Sequence, residues 1–218
     1  LHEHNEAREI PRLLAELAGG SDLALVSDAG TPLLADPGFR LVRACREQGV
    51  SVLTIPGPSA VTAALAVSGL PTIPFTFCGF PPAKGGKCGA FLDAFAPLPH
   101  TLVLFLSPHR LAVEISACAV HLGQAREAAL FAELTKVHER CVRGTLAELA
   151  GWAGEETPRG EYTLVVGPPV HEARAHPSSE AARVAVQEAR ARGLNRASAL
   201  REAARALGVT RNEIYVLL

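Results

Sequence analysis

The chain has 218 residues and a net charge of −1, with 48% hydrophobic and 20% charged residues, Gly 19 and Pro 16. Those proportions exclude a disordered, collagenous or disulfide-scaffold chain, and the length predicts one large domain or two smaller ones. The longest aliphatic-aromatic runs, Leu102 to Leu106 and Ile214 to Leu218, fall far short of the ~20 residues a membrane helix requires, and no basic stretch followed by an apolar one marks a secretory signal.

Short apolar runs alternate with longer amphipathic ones, which predicts an α/β protein with a largely parallel sheet. Leu23-Ala24-Leu25-Val26 reads as a strand, Asp36 to Glu47 as a helix, and Val50 to Ile55 as the next strand. A Pro-Gly-Pro turn and a helix from Ser59 to about Val67 follow. The Pro-rich crossing at 69–74 interrupts the alternation and marks a domain boundary near residue 70. Beyond it the pattern predicts strands at Phe75 to Phe80, Thr101 to Leu106, Ala128 to Glu133 and Tyr162 to Val166, with helices at Gly89 to Phe95 and Pro108 to Leu122. Three domains are thus expected: 1–70, 71–168 and, after a linker at 167–179, a helical module over 178–218. In that module Ala181 to Ala191, Ala199 to Leu207 and Arg211 to Leu218 read as helices, with Ser198 and Thr210 as N-caps. The last two are spaced like a helix-turn-helix about Gly208.

Charge is unevenly distributed. Residues 171–218 hold eight Arg and five Glu, an excess of +3, against −4 for the remainder. A basic tail on an acidic body points to an anionic partner; the plainer reading is a solvated helical surface. Five cysteines (Cys45, Cys78, Cys88, Cys118, Cys141) are widely spaced without C-x-x-C. Reduced thiols in a cytoplasm are therefore expected rather than disulfides or zinc. No metal site is expected, since H-E-x-x-H is absent and His2-x-His4 is too thin to count as one. The chain opens on Leu1-His2-Glu3-His4-Asn5-Glu6, like a sequence begun in mid-protein, from which a missing N-terminal portion is expected.

Polar or small-residue loops recur at predicted strand ends, where open α/β sheets bind ligands. Ser27-Asp28-Ala29-Gly30-Thr31-Pro32 and Pro56-Gly57-Pro58-Ser59-Ala60 would let a ligand approach the backbone, and together can make one crevice. Neither carries G-x-G-x-x-G or a phosphate loop. Ser107-Pro108-His109-Arg110 and Glu133-Leu134-Thr135-Lys136 put side chains at strand ends that can bind an anion or move a proton.

Taken in order, S-D-A-G-T-P from Ser27, D-P-G from Asp36, P-G-P-S from Pro56, G-F-P from Gly79, S-P-H-R from Ser107 and E-L-T-K from Glu133 resemble the tetrapyrrole-methylase superfamily. Within it they resemble the branch of ribosomal RNA small subunit methyltransferase I, over essentially the whole chain from His2-Glu-His-Asn-Glu. The resemblance implies two α/β domains with S-adenosyl-L-methionine in the cleft between them, and a homodimer. It further implies 2′-O-ribose methylation of a cytidine in 16S ribosomal RNA of the small ribosomal subunit. Carried onto this sequence, the cofactor contacts are Ser27, Asp28, Ala29, Gly30, Thr31, Pro56, Ser59, Ala60, Leu106, Leu134 and Tyr162. Lys136, Glu133 and His109 are the candidates to take the proton or orient the hydroxyl. Departures from the family pattern are Leu106 where Glu is usual, Ala132 where Arg is usual, and Cys88-Gly89 in place of a basic pair. The opening strand and its P-T-P-I-G-N loop are not found. Two other readings compete: a tetrapyrrole (precorrin or uroporphyrinogen) methyltransferase of the same fold, and a non-catalytic RNA-binding relative using the basic tail, among whose arginines Arg192, Arg196 and Arg211 fall near helix ends.

Overall fold

A computed structural model describes residues 5–155, 157–170 and 178–218. It divides into two compact units, 1–169 and 170–218. His2, His4 and most of the expected linker lie outside the described residues.

The first unit is built on one mixed five-stranded sheet, order β1-β2-β5-β3-β4. Its strands are β1 (Phe75–Gly79), β2 (Thr101–Leu106), β3 (Glu127–Ala132), β4 (Arg140–Thr145) and β5 (Tyr162–Val166). The largely parallel sheet expected from the alternation is not what forms. Only β1 and β2 pair in parallel, while β5 runs antiparallel between β2 and β3, and β4 closes the edge antiparallel to β3.

The three central strands are buried along nearly their whole length, because helices cover both faces and the side chains alternate between them. Leu102, Leu104 and Leu106 of β2 join Leu130 and Leu164 against α4 (Gly85–Phe95), α5 (Leu111–Leu122) and α6 (Leu146–Glu155). Val103, Phe131 and Val165 point the other way and pack on Val61, Ala64 and Leu65 of α3 (Ala60–Ser68). α1 (Glu6–Ala18) lies against α2 (Phe39–Glu47) through Leu14, Leu41 and Cys45. The carboxylate of Glu6, itself buried, accepts the Leu41 N–H at 3.1 Å.

The two strands expected at Leu23 to Val26 and Val50 to Ile55 do not form. A strand is defined by its ladder, and neither segment has a ladder partner among the described residues. Val26, Leu53 and Ile55 are accordingly exposed, and the Val52 carbonyl accepts from Arg46 Nη2 at 3.0 Å instead. The helix expected from Asp36 begins three residues later. Gly38 has φ +127°, and a Cβ there would meet Leu25 Cδ2 at 2.7 Å, so helical backbone can start only at Phe39.

All five cysteines are free, as the spacing predicted. Burial pushes the Cys78 and Cys118 thiols up to about 12, which keeps them protonated and unreactive at neutral pH.

The second unit holds α7 (Ser179–Ala191), α8 (Arg196–Leu207) and α9 (Arg211–Leu217) around Val186, Leu200 and Ile214. Ser178 caps α7, and Thr210 with Glu213 forms a capping box on α9. α8 is capped by Asn195, whose Oδ1 accepts the Ser198 N–H at 2.9 Å. Ser198, expected as that cap, is inside the helix, which starts three residues earlier than expected, and its own N–H is the orphan donor that Asn195 satisfies. Gly208, at φ +65°, ends α8 and turns the chain into α9. No helix among the described residues is long and apolar enough to cross a membrane.

Candidate functional site

A cavity of about 690 Å³ opens at one end of the sheet, where β2 and β3 finish and β5 begins. Such a volume is in the range of small-molecule and cofactor sites. Its walls come from the loops at 29–36 and 57–59, the first turn of α3, the ends of β2 and β5, and the loop at 134–136.

Short-range geometry explains why the two small-residue loops meet. Ser27 Oγ donates to the Ala29 and Gly30 carbonyls at 3.2 and 3.1 Å, folding the first loop on itself. Gly30 takes φ +70°, and a Cβ placed on it would come no closer than 4.0 Å to Pro58 O. Thr31 Oγ1 donates to that same Pro58 carbonyl at 2.9 Å. One hydroxyl thus ties the S-D-A-G-T-P loop to the P-G-P-S loop.

The opposite wall is apolar above and ionic below. Leu106 and Ala132 both pair in register with Tyr162, one from each side. The acid and base that the family pattern would place at 106 and 132 are therefore not on adjacent strands; β5 separates them. Phe105 continues the apolar wall and holds Phe80 at a ring separation of 5.4 Å. Beneath, Lys136 Nζ sits 3.0 Å from Glu133 Oε1 and 3.1 Å from Glu161 Oε2. Glu133 and Thr135 adopt φ of +51° and +66°, and backbone bonds between Glu133 and Glu161 (2.9 Å each way, one through the Glu133 carboxylate) lock the loop to the start of β5. A side chain at Gly160 would run into the Glu133 carboxylate.

The Lys136 ammonium and the Glu161 N–H hold the Glu133 carboxyl below its ordinary value. Glu133 and Glu161 in turn raise Lys136. Lys136 is therefore a fixed cation at neutral pH rather than a proton acceptor. The linkage follows by sign. The depressed Glu133 contributes stability that is present above its unfolded pKa and lost as pH falls through its folded one. The raised Lys136 contributes below its unfolded pKa and loses that only as pH rises through its folded one. We expect Glu133→Gln to melt below the parent at neutral pH, the gap closing below the carboxylate range; a gap unchanged at acid pH would contradict this.

The S-P-H-R segment is a 3-10 turn, Pro108–Arg110. Arg110, expected to face an anion, instead binds the buried Glu114 through Nε and Nη2 at 2.9 and 2.7 Å. Glu114 Oε2 also accepts the Ser107 N–H at 2.8 Å.

Of the residues expected at the site, Ala29, Gly30, Thr31, Ser59, Ala60, Leu106, Leu134, Tyr162 and Lys136 line the cavity together. Ser27, Asp28, Pro56, Glu133 and His109 are not in the lining. Ser27 and Glu133 brace loops that are, and His109 is exposed beside the lining residue Pro108. Sequence reasoning missed Phe105, Glu161 and Thr163, which only the strand order brings here. It also did not assign Asp36 or Phe80 to the site, although the D-P-G and G-F-P motifs contained them. No group of His, Cys, Asp and Glu among the described residues is arranged to hold a metal.

This cavity, on a mixed sheet covered by helices on both faces, defines a small-molecule-binding α/β protein. Residues 1–150 match the Tetrapyrrole (Corrin/Porphyrin) Methylases. The chain is 49% identical over 168 residues to Ribosomal RNA small subunit methyltransferase I of Mesorhizobium japonicum, covering 77% of this chain and 57% of that protein. It is 40% identical to the protein of the same name from Synechocystis sp., covering 99% of this chain and 77% of that one. Among solved structures, uroporphyrin-III C-methyl transferase from Thermus thermophilus, complexed with S-adenyl homocysteine, shares the fold at a TM-score of 0.52 and 24% identity, covering 74% of this chain and 73% of that one. The chain belongs to the tetrapyrrole methylase family, and within it to the ribosomal RNA small subunit methyltransferase I group. It spans little more than half, 57%, of the Mesorhizobium relative's length.

Proposed function

We propose that the chain carries the cofactor site of an S-adenosylmethionine-dependent methyltransferase that modifies the 2′-hydroxyl of a cytidine in 16S ribosomal RNA. The observation that supports this most is the cavity itself, formed where the two small-residue loops face the ends of β2 and β5. The residues present fit the cofactor. Gly30, Gly57 and Ala60 leave room for close approach, Asp36, Thr62 and Thr163 offer polar groups, and Leu106, Leu134 and Tyr162 offer an apolar surface for a purine. Ala29 to Thr31 with Ser59 and Ala60 would hold it from one wall; Ser27, Asp28 and Pro56 shape those loops from outside.

When bound, S-adenosylmethionine supplies a methyl group already activated by its sulfonium. What remains for the protein is to align the acceptor oxygen and assist loss of one proton. Lys136, held charged by its two carboxylates, is suited to orient the ribose or its phosphate. Glu133 positions Lys136. His109, exposed next to Pro108, is the remaining candidate to accept the proton.

Calorimetry with S-adenosylhomocysteine tests the cofactor site: one-site saturable binding is expected, and absence of heat at saturating ligand would contradict it. The reading extends to a cytoplasmic homodimer acting on the small ribosomal subunit, with a domain boundary near residue 70. Exposed Val26, Leu53 and Ile55 give apolar surface for a dimer to bury; sedimentation as a monomer at micromolar concentration would reject that part.

A further inference from the structure

We propose that the exposed face of α9, with the exposed arginines of α8, docks single-stranded RNA and that Tyr215 stacks on an unpaired base. This rests on the reading of the protein as acting on RNA, but its grounds lie in the helical unit alone.

Charge within that unit is segregated. The described part carries seven arginines, all exposed, and four glutamates. Glu180 and Glu188, the two exposed glutamates, are both on α7. On α8 and α9 the acidic side chains are half-buried, and Glu213 is tied up in the capping box. Arg201 and Arg205 stand one turn apart on the exposed side of α8, and Arg211 opens α9 just past the Gly208 turn.

On α9, burial of Ile214 fixes which side faces out. Arg211 and Tyr215 are then one turn apart on the outer face, flanked by Asn212 and Val216. Tyr215 is 64% exposed. An exposed aromatic beside arginine, on helices whose described acidic side chains are half-buried, matches what unpaired nucleotides require: a flat ring for the base and cations for the phosphates. A duplex offers that ring nothing, because its bases are already stacked. Arginine rather than lysine at every basic position adds forked phosphate contacts.

The test is fluorescence anisotropy of the whole chain with an unstructured oligouridine and with an RNA duplex of equal charge, over a series of salt concentrations. Tyr215→Ala should weaken oligouridine binding about tenfold with an unchanged salt slope, and Tyr215→Phe should restore it. Arg201→Gln, Arg205→Gln and Arg211→Gln should each reduce the slope by about 0.7. Unchanged affinity in Tyr215→Ala, or tighter binding of the duplex, overturns the proposal. S-adenosylhomocysteine binding by the same variants separates the outcomes. If it persists while oligouridine affinity does not respond, the docking face is wrong and the cofactor reading stands.

Discussion

Ala60→Trp is expected to weaken S-adenosylmethionine binding at least about a hundredfold while leaving the fold intact. Ala60 is the first residue of α3 and lines the cavity, whereas the buried packing of that helix is carried by Val61, Ala64 and Leu65. An indole at this position needs no change of backbone conformation and would occupy part of the cavity proposed for the cofactor. We expect affinity to fall by about a hundredfold or more, close to 2.7 kcal/mol. Gly30→Trp should block the same space, but Gly30 sits at φ +70°, so its effect would mix obstruction with strain. Val67→Trp is the control: Val67 is on the same helix, 59% exposed and away from the lining. Equal losses in Ala60→Trp and Val67→Trp would place the cofactor elsewhere.

Glu114→Ala is expected to destabilise the first unit by about 2–3 kcal/mol, the range for losing hydrogen bonds to a buried charged group. Glu114 is 3% exposed and receives the Ser107 N–H and two Arg110 nitrogens. Arg110 can turn to solvent when the carboxylate is removed, but the Ser107 N–H loses its acceptor. Because Leu106 and Pro108 flank that amide and line the cavity, cofactor affinity should fall as well. A urea midpoint for Glu114→Ala equal to the parent's would show that the turn is held by something else.

The sheet's centre was legible in the sequence because its strands are continuous apolar runs bounded by turn residues. β2 and β5 form over the residues expected, and β3 is displaced by one. β4 was missed since it is an edge strand, Arg140–Thr145, largely exposed and without alternation. α6 was missed because Gly151 and Gly154 dilute its pattern, and α1 because Pro11 lies inside it. The failures at Leu23 to Val26 and Val50 to Ile55 have a different cause. Local apolar character says that a segment can pair; it does not supply the neighbour. At the site, small residues after a predicted strand identified both loops. Phe105 and Glu161 were illegible for the opposite reason: one reads as ordinary strand interior, the other as ordinary surface, and only the antiparallel insertion of β5 beside β2 brings them together. The same insertion keeps Leu106 and Ala132 on strands that are not neighbours.

The most direct measurement is transfer of labelled methyl from S-adenosylmethionine to small ribosomal subunits that lack 2′-O-methylation, using the full-length protein and mapping the product by nucleotide. The account predicts one methyl per subunit, on the 2′-oxygen of a 16S cytidine, abolished by Ala60→Trp and not transferred to uroporphyrinogen. Methyl appearing on a base, on a tetrapyrrole or on no acceptor, while S-adenosylhomocysteine still binds, would contradict it.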